Sequence, residues 1–487
     1  MLWMKPLRPI IASAFFVLHH LGAQSVSYSP ETIQNALLYV DLHQGAQLLK
    51  GLPNSHRVLY FKAQRVAIQA LVNDQRPGFA SAIDSLDQYL NLLETNTGGP
   101  QRASKLAFGA EVYLLRAALY GRMGKNLSAV ADLKSAYDGY SKSLKLDSTE
   151  VVALAGMGLM QAGVGSLPSS YQTMAALINM RGTIGDGLQM VRKAARKAHA
   201  KDHWFEQKAR VLVLWSEAQF LDFPVAKLEL NGIDLQRGAL VRFLLLKRFL
   251  DHGEGHLAVQ FLDQHPSGGH DKVFPQLDYL EGRVYLSQFR PETEKAFRTF
   301  LERYRGNNFV RSAHRYLLWH YSLQGQTEAA ERERALVLGE AGGRFSGADQ
   351  QAVLDATLPF NATLVKARLL YDGGALHPSL EWLLEAQTKG FSEREMAEYH
   401  YRLGRVYQKL GKVKEALTAF HQSTALKADP DVFVTANAWL QLGYLHAKIG
   451  NTTEAKKAFK ACLEWEDYPF YEGVQQKART GLSKLPS

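Results

Sequence analysis

Side chains of metal-binding type crowd into one stretch, DHGEGHLAVQFLDQHPSGGHD, among them His252, Glu254, His256, His265, His270 and Asp271. Imidazole nitrogens and carboxylate oxygens are the ligands zinc takes, and a catalytic zinc needs three of them converging with a fourth position open to water. Gly253 and Gly255 turn the chain between the first three candidates, and no spacing brings a full ligand set to one place. The stretch therefore reads as exposed loop histidines, with no metal expected.

Other chemistry-bearing patterns are missing as well. GMGLMQ and GVGSLP carry paired glycines but follow no predicted strand, and GRMGKN lacks the distal glycine and the Ser or Thr of a phosphate loop. There is no H-E-x-x-H and no G-x-S-x-G in the sequence. Cys462 is the sole thiol, stands where a small packing residue is wanted, and has no recognisable base to activate it. No acid, base and nucleophile set is visible, so a hydrolase ranks last among the readings and no cofactor is expected.

The elements that position side chains in this chain are helices with an internal period. In YHYRLGRVYQKLGKVKEALTAF, Gly404 is followed by Gly411, Ala416 and Phe420 at intervals of seven, five and four residues. In NAWLQLGYLHAKIGNTTEAKKAF, Gly443, Gly450, Ala455 and Phe459 repeat those intervals. A glycine inside a helix costs about 1 kcal/mol relative to alanine, so Gly404 must serve a close approach. Leu403, Gly404 and Tyr407 share one face of a first helix, and Gly411 suits the left-handed position that lets the chain reverse. Ala416 is the small residue at the crossing of a second helix, with Phe420 beside it. The expectation is a tight antiparallel hairpin, the two backbones nested together where side chains are smallest.

This pattern resembles the tetratricopeptide repeat. Trp439, Leu442, Gly443, Gly450, Ala455 and Phe459 stand at its signature positions; His446 departs at the Tyr position and Cys462 replaces the second Ala. The likeness is strongest from Ala397 to Glu464. Weaker copies keep Leu317, Tyr321, Gly325 and Ala330, with Leu318 at the glycine position. Gly282, Tyr285, Ala296 and Phe300 form another with a longer turn, and Tyr113, Tyr120, Gly124, Ala129 and Ala136 a third. The resemblance implies an all-α chain, an α-α superhelix of about a dozen antiparallel hairpins, closed by a capping helix in the tail.

Boundaries follow from the breaks in the period: a leader over 1–23, hairpins over 24–150, a glycine-rich helical insertion over 151–223, degenerate repeats over 224–345, linking helices over 346–395, and two repeats with the cap over 396–487. In the insertion, Gly156, Gly163 and Gly165 permit close helix packing, and Ser166 to Tyr171 reads as a ligand-facing loop. That loop underlies a second reading, a glycan or small-ligand binding protein with its pocket at the insertion.

The leading reading follows the resemblance, which implies that a groove lined by the first helix of each hairpin binds a protein or peptide. Its groove positions fall on Glu398, Tyr401, Arg405, Gln408, Asn437, Tyr444 and Lys448, and in the weaker units on Arg283, Arg315 and Trp319. Arginine and tyrosine together suit an acidic segment, by bidentate pairing and ring contact.

Composition agrees with a folded chain: 487 residues, 46% hydrophobic, 21% charged, net charge +10. A basic surface favours acidic partners, while no basic block interleaved with aromatics points to nucleic acid. MVRKAARKAHAKDHW, Met190 to Trp204, reads as a solvated helix face. At the start, Lys5 and Arg8 precede an apolar run from Ile10 to Leu18 and small residues to Ala23, the order of an export signal. That run is too short to span a bilayer and no later segment is apolar enough, so the expected location is outside the cytoplasm, periplasmic or at an outer membrane.

Overall fold

The computed structural model describes residues 29–95, 101–167, 169–201, 203–236, 238–266, 274–339, 346–426, 433–466, 468 and 471–486. The leader at 1–23 lies outside these residues, as do His270 and Asp271. Among the described residues every regular element is helical. The N-terminal part comprises α1 (Pro30–Leu38), α2 (Leu42–Leu49), α3 (His56–Asn73), α4 (Arg76–Glu94), α5 (Arg102–Arg122) and α6 (Asn126–Leu146). The glycine-rich segment forms α7 (Val151–Ser166), α8 (Ser169–Leu177), α9 (Ile184–Ala200) and α10 (Glu206–Phe220). Then follow α11 (Ala239–His252), α12 (Gly255–Gln264), α13 (Gln276–Ser287), α14 (Glu292–Arg303), α15 (Val310–Leu323), α16 (Thr327–Leu338) and α17 (Gly347–Thr357). The last stretch is α18 (Ala362–Asp372), α19 (Leu376–Leu384), α20 (Glu393–Lys409), α21 (Val413–Ala425), α22 (Phe433–Lys448), α23 (Thr452–Leu463) and α24 (Tyr471–Ser483). Consecutive helices pack as hairpins, α5 with α6, α13 with α14, α15 with α16, α20 with α21 and α22 with α23. This is the expected all-α solenoid.

Local chemistry sets the hairpins. Ser392 and Glu395 form a reciprocal capping box that starts α20. Gly124, Gly325, Gly411 and Gly450 end first helices with φ of +74°, +73°, +76° and +80°, a conformation that a β-carbon disfavours. In the longer turn between α13 and α14, Phe289 takes that position instead, with φ +54°.

The signature glycines do a different job from the one their spacing suggests. A β-carbon on Gly404 would lie 2.6 Å from the Phe420 ring, and one on Gly443 would lie 2.5 Å from the Phe459 ring. The vacancy is filled by a ring from the second helix, not by that helix's backbone. In the α13–α14 hairpin the ring against Gly282 is Phe297, at 2.8 Å, rather than Phe300. Phe300 instead stacks on Tyr304, 4.8 Å between centroids. Ala416 and Ala455 are fully buried at their crossings as expected.

True backbone nesting occurs in the glycine-rich segment. A β-carbon on Gly158 would meet the Gly187 carbonyl at 2.7 Å, and one on Gly187 would meet the Ala162 nitrogen at 2.5 Å, so α7 and α9 cross with nothing between them. Gly163 has open space around it and takes no part. The expected loop from Ser166 to Tyr171 is not one: α7 runs through Ser166 and α8 begins at Ser169. Gln172 donates to the Leu167 carbonyl at 2.8 Å and ties the two helices together.

One apolar core runs from Ile33 to Leu369, and three smaller clusters follow between Ala367 and Leu485. Polar contacts join parts far apart in sequence. The Lys208 ammonium on α10 donates to Tyr60, to Gln64 and, at 2.6 Å, to Glu111. At the turn after α3, Asp74 accepts from Arg122, Tyr304 and Asn308. Nearby, Gln276 donates to the Val72 carbonyl at 2.7 Å.

Candidate functional site

Helices α13, α15, α18 and α20 bring arginines and aromatic rings together in a ladder. The Arg283 guanidinium lies 6.0 Å from the ring centroids of both Tyr279 and Tyr316. Arg315 lies 4.5 Å from Tyr316 and 4.8 Å from Trp319, Arg368 lies 5.0 Å from Trp319, and Arg405 lies 5.1 Å from Tyr371. Each such contact stabilises a partly desolvated cation by about 1 kcal/mol. Burial alone would push the Tyr316 phenol up, yet the charges of Arg283, Arg315 and Arg368 outweigh it and hold the group below its usual value.

Carboxylates neutralise part of this charge. Arg315 pairs with Asp355 at 2.8 Å, Arg368 reaches Asp355 and Asp372, and Arg402 is held by Glu398 at 2.5 Å. Arg405 is different. Its two terminal nitrogens donate to the Tyr401 hydroxyl at 2.9 Å and the Tyr371 hydroxyl at 2.8 Å, and its buried Nε has no partner. Phenols orient this guanidinium without cancelling it. Among the described residues neither Arg283 nor Arg405 has a carboxylate within ion-pair distance. Arg405 forms one wall of a recess of about 180 Å³ between α18, α20 and the start of α22, lined also by Arg368, Tyr371, Asp372, Tyr401, Arg402 and Phe433, with the Asp372 carboxylate on the Arg368 side.

The ten expected groove residues meet five different fates. Tyr401 and Arg405 line the recess, and Arg283 belongs to the same ladder. Gln408 and Asn437 serve the scaffold's own bonding: Gln408 donates to Gln441 across α20 and α22 at 2.9 Å, and Asn437 donates to the Phe433 carbonyl at 2.8 Å. Tyr444 and Lys448 are exposed on α22. Glu398 is occupied by Arg402. Arg315 and Trp319 are corrected: each is more than nine-tenths buried, because α17 and α18 cover that face of α15, and they are core residues rather than groove surface. Arg368, Tyr371, Arg402 and Phe433 were missed. The signal for two of them is RLLYDGG at 368–374, a glycine-ended helix in a stretch whose register the period did not reveal.

A family model described as "Tetratricopeptide repeat" matches residues 397–430, and a second model of that description matches residues 436–468. The two C-terminal hairpins are tetratricopeptide repeats. Two solved structures are similar to the whole chain at low identity. One is the crystal structure of the APC/C hetero-tetramer Cut9-Hcn1, 15% identical, covering 94% of this chain and 92% of that one with a TM-score of 0.23. The other is a human IFIT1 dimer with PPP-AAAA, 13% identical, covering 92% and 94% with a TM-score of 0.21. Scores at that level carry no argument about what this chain binds. No curated protein matches it.

The recess thus sits where the first tetratricopeptide repeat meets the hairpin before it, α18–α19. Its position explains the chemistry, since a repeat array presents first-helix side chains in register from unit to unit. The pocket expected at the glycine-rich insertion is not formed by its glycines: Gly158, Gly165 and Gly187 are consumed where α7 meets α9, Gly156 faces the Tyr140 ring, and Gly163 stands in open space. An open recess of about 320 Å³ lies instead between α9, α10 and the segment at 229–231. In it Arg192 is paired with Glu217, and Arg210 with Glu206. Cys462 is fully buried, and burial pushes its thiol up to about 12, so it has no thiolate character at neutral pH. No helix of the described residues is long and apolar enough to cross a membrane.

Proposed function

We propose that this chain is a non-enzymatic, exported adaptor that holds an acidic segment of a partner protein against the Arg405 recess, within a cell-envelope assembly. Tetratricopeptide repeats are protein-interaction scaffolds, and the two repeats here lie beside the recess. The observation that carries the reading is the Arg405 guanidinium, fixed by two tyrosine hydroxyls with no carboxylate at ion-pair distance, in a recess whose single acid, Asp372, faces three arginines. A carboxylate entering the recess would meet a donor already oriented for it, so little side-chain entropy is lost on binding. The exposed Tyr444 and Lys448 on α22 extend the same chemistry along the next repeat. The export half of the proposal rests on Lys5, Arg8 and the apolar run from Ile10 to Leu18.

The test is affinity capture with cross-linking from the native envelope, using the wild-type chain and a chain carrying Arg405→Glu with Lys448→Glu. Reversing both charges is expected to lower recovery of the specific partner by about 10-fold or more, with circular dichroism unchanged. Equal recovery by both chains would rule out the recess as the binding site.

A further inference from the structure

The Arg405 recess is one end of a longer groove between α18 and α20. The two helices are bridged twice: the Asn361 amide donates to Glu395 at 2.9 Å, and Arg405 donates to the Tyr371 hydroxyl at 2.8 Å. The bridges stand ten residues apart on each helix, so the helices run parallel and in register for about 15 Å. A second recess, of about 50 Å³, lies where both helices start, and it shares Arg368 and Arg402 with the first. Along α18 the lining includes Leu364, Arg368 and Tyr371, and along α20 Arg394, Glu398, Arg402 and Arg405, each set at helical spacing. One face of each helix therefore lines the groove from end to end.

The chemistry changes along that line. Five arginines and three carboxylates line the two recesses, so the groove as a whole is cationic. Arg368 reaches Asp355 and Asp372, Arg394 and Arg402 share Glu398, and Arg334 holds Glu331. Only Arg405 among these five has no carboxylate within ion-pair distance among the described residues. The middle of the groove is thus built of matched ion pairs, and one end carries an uncancelled cation. The other end is apolar: Leu358, Pro359, Phe360 and Val365 surround the second recess at least partly exposed, with Leu318 and Leu364 buried behind them. Its volume is several times what one water needs, enough for a small apolar side chain. We infer that the partner segment lies extended along α18 and α20 over about five residues, with an acidic side chain at Arg405 and an apolar side chain of valine size in the second recess. This rests on the reading of the Arg405 recess as the site of an acidic segment, and it adds the residue that sets specificity and its distance from the acid.

Anisotropy titrations of the full chain with fluorescein-labelled peptides test it. The probes are Glu-Glu-Ser-Ser-Val and Val-Ser-Ser-Glu-Glu, both termini blocked, which offer the groove the two chain directions; each has a control with serine in place of valine. In one direction the valine peptide is expected to bind about 10-fold tighter than its control. Val365→Leu, which fills the second recess, should bring that peptide down to the affinity of the control and leave the control and the unfolding temperature unchanged. Arg405→Gln should weaken both. Equal affinity of valine and serine peptides in both directions, with Arg405→Gln still weakening them, overturns the apolar subsite and leaves the Arg405 reading standing. A valine preference that survives Val365→Leu places the apolar contact elsewhere and overturns the inference too. No binding of any probe to wild type, or binding indifferent to Arg405→Gln, overturns the inference and the reading together.

Discussion

The ring of Phe420 fills the space that a β-carbon on Gly404 would occupy, 2.6 Å from that position, and Phe459 does the same at Gly443. Alanine at either glycine gains helix propensity of about 1 kcal/mol but drives a methyl group into a fully buried ring. Gly404→Ala and Gly443→Ala should each destabilise the chain by about 1–3 kcal/mol net. Gly109, on α5, has open space where its β-carbon would go, so Gly109→Ala should stabilise by about 0.5–1 kcal/mol. Urea unfolding followed by circular dichroism reads all three, and opposite signs at Gly404 and Gly109 are the expected outcome.

Lys208 and Glu111 form an ion pair at 2.6 Å that is largely removed from water, with the Tyr140 hydroxyl donating to the second carboxylate oxygen at 2.9 Å. Lys208→Met leaves the carboxylate buried without its cation and should lower stability by about 3–5 kcal/mol. Adding Glu111→Gln to that variant removes the stranded charge and should restore a large part of the loss. A double variant no more stable than Lys208→Met alone would show that the pair is not what the interior depends on.

Two groups near α7 and α10 respond to acid in opposite directions. Burial, with Asp147 adding to it, pushes the Glu150 carboxyl up to about 7, above its ordinary 4.5. The folded state then holds an extra proton between those values, so this group adds stability as pH falls from about 7 toward 4.5. Burial, helped by Arg57 and Lys201, pulls His203 down to about 4 from 6.5. Here the unfolded state binds the proton first, and stability is lost as pH falls from about 6.5 toward 4. Glu150→Gln should abolish the gain and leave a steeper acid loss, whereas His203→Gln should remove the loss. Unfolding midpoints measured from pH 8 to about 4.5 distinguish the two slopes.

Arg315 and Arg405 sit on neighbouring parts of one ladder but answer different assays. Arg315→Leu takes from Asp355 its shorter ion pair, leaving it Arg368 at 3.6 Å and the Gln351 amide, and should reduce stability by about 1–3 kcal/mol. Arg405→Gln gives up hydrogen bonds to two phenols, about 1 kcal/mol, and should instead abolish binding of a fluorescein-labelled poly-glutamate peptide in an anisotropy titration. A peptide that binds both variants as tightly as wild type would remove the recess from consideration.

The hairpins were legible because Gly404, Gly411, Ala416 and Phe420 repeat at the same spacing as Gly443, Gly450, Ala455 and Phe459, with Gly411 and Gly450 marking the turns; that a ring rather than a backbone would fill the space at Gly404 and Gly443 was not. What periodicity could not reveal was the covering of each face. Arg315 and Trp319 lie at the same helical positions as Tyr401 and Arg405, yet α17 and α18 close over them and nothing in the α15 sequence says so. The apolar spacing of Leu167, Tyr171 and Met174 is likewise what a buried helix would show, and only the fold leaves that side bare. Lys208 and Glu111 stand 97 residues apart, beyond any local pattern.

Asp74 grips Tyr304 across 230 positions of chain, together with Arg122 and Asn308. A row of stacked hairpins joined only to their neighbours stretches like a spring, but this clasp shorts the spring between α3 and α14 and makes that portion a stiff frame. Beyond Leu369 the interior divides into small clusters, and the ties back to the earlier helices are few: Gln288 donates to the Gly373 carbonyl at 3.0 Å and Lys409 to the His252 carbonyl at 3.5 Å. Any pull on the two last repeats would therefore reach the frame through the junction of Gly373 with Gln288, a short way from Arg405.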